Sequence, residues 1–101
     1  MYKIKYLPLA KNDLSNIVDY IIDILKAPKA ALDLVDAFES SISRLAKFPY
    51  SCRVYRPIQQ LDAEYRILSV KNYIVFYLVT EHEVEIHRIV YAKVNLEKQI
   101  K

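Results

Sequence analysis

The chain has 101 residues, 53% hydrophobic and 12% aromatic, enough for one domain around one core and too apolar for a disordered segment. It contains no Gly, which excludes the Gly-rich loops that cradle phosphates in P-loop and dinucleotide-binding proteins. Its net charge of +3 is uneven: residues 1–41 carry five Lys against six acids, and residues 42–101 carry ten Lys or Arg against six acids, so −1 and +4. The basic half is compatible with nucleic acid or an acidic partner segment, although +4 is also ordinary for a surface.

Residues 1–6, Met-Tyr-Lys-Ile-Lys-Tyr, alternate basic and apolar positions and lack the apolar core of a signal peptide, so a cytoplasmic protein is expected. Residues 3–7 read as a short strand with Ile4 and Tyr6 on one face. Pro8 suits the first turn of a helix. Leu14, Ile17, Val18, Ile21, Ile22 and Leu25 recur at amphipathic-helix spacing, with Asn12, Asp13, Ser15, Asn16, Asp19 and Asp23 on the wet side. The ring of Pro28 disfavours helical geometry at Ala27 and breaks this helix. A second helix is predicted from Pro28 or Lys29 to about Lys47, with a stripe of Leu32, Val35, Phe38, Ile42 and Leu45, closed by Phe48-Pro49. So short a link folds the two helices into an antiparallel hairpin.

Residues 50–64 are irregular and hold Arg53, Tyr55, Arg56 and Pro57, then Gln59, Gln60 and Asp62. Val54, Tyr55 and Arg56 suit a short strand that Pro57 confines to an edge or end. The single cysteine, Cys52, excludes an intramolecular disulfide and fits a reducing compartment. It reads as a small filler near a loop, since the sequence establishes no base beside it.

Residues 65–93 contain three runs, YRILSV, KNYIVFYLV and EVEIHRIVYAK, rich in branched and aromatic residues and separated by short polar breaks. They predict an antiparallel three-stranded meander, with Asn72 taking the left-handed backbone of the first turn in place of the usual Gly. Residues 73–79 are apolar on both faces, which predicts a central strand covered by the helices on one side and by something outside the chain on the other. Strict alternation places Arg88 with Val84, Ile86 and Val90, and Glu85, His87, Ile89, Tyr91 and Lys93 opposite. Residues 94–101 suit a last helical turn or a loose tail. No apolar run approaches the roughly 20 residues of a membrane span. The order β, α, α, then three or four β predicts a single α+β domain: an N-terminal strand and a two-helix antiparallel hairpin packed on one face of an antiparallel sheet.

Several ordered patterns are then familiar: Ala10-x-x-Asp13-Leu14 with Ile17 and Tyr20-Ile21, Leu45-x-x-Phe48-Pro49, Tyr65-Arg66-x-Leu68-x-Val70, Asn72-Tyr73-x-Val75-x-Tyr77, and Val84-x-Ile86-x-Arg88-Ile89. Over about residues 3–95 the chain resembles the RelE/ParE superfamily of toxins from bacterial type II toxin–antitoxin systems. The resemblance implies a small α+β fold, growth inhibition, and neutralisation by a cognate antitoxin that wraps the toxin. It implies one of two targets: DNA gyrase for ParE-like members, or mRNA in the ribosomal A site for RelE-like members, which cut RNA without metal or other cofactor.

RNA cleavage needs a group to activate the 2′-hydroxyl, cations on the scissile phosphate, and an acid for the leaving oxygen. Where the RelE-like branch often has an Arg in the third strand, this chain has Ile74. Where that branch has a His or Gly and then an Arg after the last strand, this chain has Tyr91 and Lys93. Lys93 keeps the charge without the planar fork of Arg. Tyr91 supplies a proton donor but, as a phenol, a poor base near neutrality. The catalytic candidates are therefore Lys93, Tyr91 and Arg66. Candidates for nucleic-acid or target contact are Lys47, Arg53, Tyr55 and Arg56 in and around the irregular loop, with His87 and Arg88 on the last strand. Each has a plainer reading. Arg88 on an apolar face suits a structural ion pair, Arg66 suits either an ion pair or a ligand contact, and His87 suits a polar surface position. Tyr55 and Tyr91 are the tyrosines to test as stacking groups, and Tyr65, Tyr73 and Tyr77 suit sheet packing. The expectation is a toxin acting on gyrase, with a ribosome-dependent mRNA endoribonuclease as the rival and a non-toxic interaction module as the third class.

Overall fold

The computed structural model describes residues 1–57 and 61–93; Gln59, Gln60 and the expected tail, residues 94–101, lie outside the described residues. In chain order it has β1 (Lys3–Tyr6), α1 (Pro8–Asp23), α2 (Pro28–Ser43) tightening into a 3-10 turn (Arg44–Ala46), β2 (Arg66–Val70), β3 (Tyr73–Val79) and β4 (Glu83–Tyr91). The sheet order is β1-β4-β3-β2. The three later strands form the antiparallel meander, and β1 joins the outer edge of β4 in parallel. That register sets Ile4 and Tyr6 beside the buried Val84 and Ile86, and Lys3 and Lys5 beside Glu83 and Glu85. A one-residue slip would turn the lysines into the core, so the alternation of β1 specifies its pairing.

α1 begins at Pro8, whose fixed φ suits the first helical position, after an extended Leu7. It ends two residues before Leu25. The N–H groups of Ile24 and Leu25 both donate to the Tyr20 carbonyl, that of Ala27 donates to Ile21, and Lys26 takes a left-handed φ of 54°. Ile22 and Leu25, expected on the buried stripe, are consequently 40% and 55% exposed. Asp13, expected on the wet side, is instead turned toward β4, with its side chain only 11% exposed.

The buried face of α2 also differs from expectation. Ala31, Leu34, Phe38 and Ile42 are buried, whereas Leu32 is 62% exposed and Val35 half-buried. Two stripes one residue apart were compatible with the pattern. The observed one puts Ala31 inward, and a small side chain lets helix and core approach closely.

The helices cover one face of the sheet, where Phe38, Ile42 and Leu45 join Val75, Tyr77, Val84, Ile86 and Ile89 in the main core. Tyr77 is fully buried, donates its hydroxyl to the Pro49 carbonyl at 2.9 Å, and has its phenol pKa pushed up by burial. The other face of β3 is also closed, but by the chain itself. Ile67, Ile74, Phe76 and Val90 are buried there, with Tyr55, Leu61 and Tyr65 of the irregular segment packed over them. The external cover expected for this face is therefore replaced by Tyr55, Leu61 and Tyr65. Val54 makes an isolated antiparallel bridge to Arg66, the short edge pairing that Pro57 permits.

Two local features depart from simple alternation. The left-handed residue of the β2–β3 turn is Lys71, at φ 52°, rather than Asn72. Along β4, Tyr77 pairs with Ile86 and Phe76 with Arg88, so His87 is the extra residue of a bulge. The bulge exchanges the faces beyond it. Ile89 joins Val84 and Ile86 in the main core, and Val90 joins Phe76 on the opposite side, correcting the strict alternation.

Candidate functional site

β1 gives way to α1 at Leu7, whose N–H donates to the Ile86 carbonyl at 3.0 Å. Beyond that point no described strand lies on the outer edge of β4, and a side chain takes over the ladder. The Asp13 carboxylate accepts the Ile89 N–H at 3.0 Å, Arg88 Nε at 2.7 Å and Arg88 Nη2 at 3.0 Å. This is the bidentate geometry of a strong charge-assisted pair. The Asp13 hydrogen bond holds the Arg88 guanidinium pKa above its usual value against the opposing effect of burial. Arg88 thus ties α1 to the last strand.

Beside this knot lies an open groove of about 870 Å³ between the α1–α2 connection, the β2–β3 turn and the far end of β4. Ile17, Tyr20, Leu25, Tyr73, Ile89 and Tyr91 give it an apolar lining, with Asp13 and Lys71 as charged members. It exists because α1 stops at Asp23 and the chain swings away at Lys26, leaving Tyr20 and Leu25 53% and 55% exposed. Tyr73 and Tyr91 meet edge to face, ring centroids 5.7 Å apart, and burial pushes the Tyr73 phenol pKa up.

The proposed catalytic set is divided. Tyr91 is 41% exposed on the groove, and Lys93 is exposed two residues beyond it. Arg66 pairs with Tyr77, whereas Tyr91 pairs with Tyr73. These levels are about 13 Å apart along the strands, at about 3.3 Å per residue, with β3 between. Arg66 is also occupied: Nη1 donates to the Cys52 carbonyl at 2.7 Å, Nη2 lies 3.5 Å from Glu64, and Cζ sits 4.9 Å from the Tyr50 ring centroid. Ile74, at the position of the third-strand Arg, is 8% exposed in the second core.

His87, projected by the bulge, bridges Tyr65 and Glu85. Its Nδ1 lies 3.3 Å from the Tyr65 hydroxyl and its Nε2 3.2 Å from Glu85. Burial and then the Glu85 charge push the Tyr65 phenol pKa up. Tyr55 packs its ring against Phe76 at 5.1 Å, so most of its apolar face serves the second core. Lys47, Arg53 and Arg56 are exposed. Among the described residues, no group of three or more His, Cys, Asp or Glu side chains is placed to hold a metal ion. No described helix is long and apolar enough to cross a membrane.

Sequence reasoning missed Asp13, Tyr20 and Tyr50 as candidates. Asp13 was legible only as a carboxylate at a fixed offset within the Ala10-x-x-Asp13-Leu14 pattern. Nothing local in the sequence pointed to Arg88 as its partner.

A comparison of the sequence with curated proteins finds no match. Among solved structures, a chain from the "Chromosomal ParDE TA system from P. aeruginosa" superposes with a TM-score of 0.74 at 23% identity, over 92% of this chain and 98% of that one. That likeness concerns the fold. The sequence profile described as "ParE toxin of type II toxin-antitoxin system, parDE" matches residues 4–95. With nearly its whole length matched, the chain belongs to the ParE toxin family of type II toxin–antitoxin systems.

Proposed function

We propose that this chain is a growth-inhibiting toxin that acts in the cytoplasm on DNA gyrase, without cofactor, and is silenced by a cognate antitoxin whose apolar segment fills the Tyr20–Tyr91 groove. The observation that carries the choice of target is the dispersal of the phosphate-handling set. Arg66 lies at the opposite end of the sheet from Tyr91 and Lys93 and is engaged with Cys52, Glu64 and Tyr50. A ribonuclease needs such groups preorganised around one phosphate, so the ribosome-dependent reading is not favoured. Membership of the ParE rather than the RelE branch supports the same choice.

The antitoxin is the fitting occupant of the groove because the partner class follows from the family and the lining is apolar with large exposed rings. The test is induced expression without antitoxin, read by gyrase supercoiling and by primer extension on translating ribosomes. Loss of supercoiling without A-site cuts is expected. A-site cuts that vanish in Lys93→Ala and Arg66→Ala would replace the gyrase reading with the ribonuclease, and normal growth would leave a non-toxic module. Tyr20→Asp and Leu25→Asp, both at exposed positions, should abolish antitoxin binding while leaving the melting temperature of the free chain nearly unchanged.

A further inference from the structure

We propose that segment 44–57 is a preorganised platform for single-stranded nucleic acid, at the end of the sheet away from the groove. The segment reads Arg-Leu-Ala-Lys-Phe-Pro-Tyr-Ser-Cys-Arg-Val-Tyr-Arg-Pro and carries four cations, Arg44, Lys47, Arg53 and Arg56, with no acid. Its charge of +4 exceeds the +3 of the whole chain, so the remainder is slightly acidic and the positive potential is concentrated here. All four cations are exposed, and among the described residues none makes an ion pair.

Between the cations stand two of the most exposed rings of the molecule, Phe48 at 61% and Tyr50 at 58%. Exposed rings on a basic surface match a strand that presents phosphates and unstacked bases together. An acidic peptide would use the cations and leave the rings in water, which is why the nucleic acid is the better fit.

The segment is held from beneath. The Tyr77 hydroxyl donates to the Pro49 carbonyl at 2.9 Å, Arg66 Nη1 to the Cys52 carbonyl at 2.7 Å, and the Ile67 N–H to the Arg53 carbonyl at 3.1 Å. The Tyr55 N–H donates to the Tyr65 carbonyl at 2.7 Å, and Ser51 Oγ to the Phe48 carbonyl at 2.7 Å. Tyr50 stands between the Arg66 guanidinium, 4.9 Å from its centroid, and the Tyr2 ring, 6.5 Å away and nearly perpendicular. A loop pinned by its carbonyls meets a ligand without a large ordering cost. Arg66 thus supports the platform from below.

The experiment is fluorescence anisotropy of the purified full chain with a short labelled oligodeoxythymidine, its duplex form and a labelled polyglutamate peptide, over a salt series. The single strand should bind more tightly than the duplex or the peptide. The log–log salt slope should fall by about 0.7 for each of Lys47→Ala, Arg53→Ala and Arg56→Ala. Phe48→Ala and Tyr50→Ala should weaken binding about 5- to 100-fold with the slope unchanged. Lys11→Ala, an exposed lysine outside the segment, should leave affinity and slope as in the parent chain. Thermal melts of each variant separate loss of binding from loss of fold.

The platform is overturned by the absence of binding, by equal losses for Lys11→Ala, or by indifference to both ring truncations in folded protein. Polyglutamate binding as tightly as the oligonucleotide would assign the surface to an acidic protein segment instead. The assay is independent of whether gyrase is the target.

Discussion

Asp13→Ala is the most informative single change, because one carboxylate joins α1, β4 and the groove wall. Three hydrogen bonds end on it: two from Arg88, at 2.7 and 3.0 Å, and one from the Ile89 N–H at 3.0 Å. The two side chains are 11% and 21% exposed, so screening is limited but not absent. Breaking a fully buried ion pair costs about 3–5 kcal/mol, mostly from the abandoned charge, and an orphaned backbone donor about 1–3 kcal/mol. With Arg88 still touched by water, a total of about 3 kcal/mol is expected. For a domain of this length that lowers the melting temperature by about 12–24 °C. Asp13→Asn keeps an acceptor for the Ile89 N–H and loses the charge, so about half the loss is expected. Asp13→Ala, Arg88→Met and the double variant, followed by circular dichroism in urea and heat, complete the cycle. Coupling of about 1–3 kcal/mol should appear, since the residues touch. An Asp13→Ala variant within about 0.5 kcal/mol of the parent would place Asp13 among ordinary surface acids and refute the edge-capping role.

Phe38→Ala truncates a ring 2% exposed in the main core and should cost about 3–5 kcal/mol, seen as a lower urea midpoint; full stability would contradict the observed face of α2. Lys26→Gly removes the left-handed strain of a side chain at φ 54° and should stabilise the chain by about 0.5 kcal/mol after the greater entropy of Gly in the unfolded state is deducted; a lower melting temperature would refute this. Tyr6, Tyr65, Tyr73 and Tyr77 have phenol pKa values raised chiefly by burial. At high pH the folded state therefore retains protons that the unfolded state releases. Stability should be present in full below about pH 10 and fall as pH rises further, with a smaller fall in Tyr77→Phe; urea midpoints that stay flat between about pH 9 and 11 would exclude it.

The order of elements was determined locally, by patterns the sequence carries on its surface. The alternation of Lys3, Ile4, Lys5 and Tyr6, the prolines at positions 8 and 28, and the three β-rich runs each depend on near neighbours and steric rules, and they led to β1, the two helices and the meander. The ordered residues of those same elements carried the family resemblance. Tertiary packing decided what the patterns left degenerate. Ala31 and Leu34 prevailed over Leu32 and Val35 because burial on α2 is chosen by the surface it meets, not by side-chain size. The bulge at His87 exchanged the faces of β4, because one unpaired residue shifts every later side chain by half a period. The second face of β3 was closed by Tyr55, Leu61 and Tyr65, and no periodicity assigns Tyr55 or Leu61 to a core. The groove, the Asp13–Arg88 pair across 75 residues, and the separation of Arg66 from Tyr91 all arise from contacts distant in sequence. Such contacts are determined by the closed packing of the whole chain, so residue spacing alone could name their members without saying which of them meet.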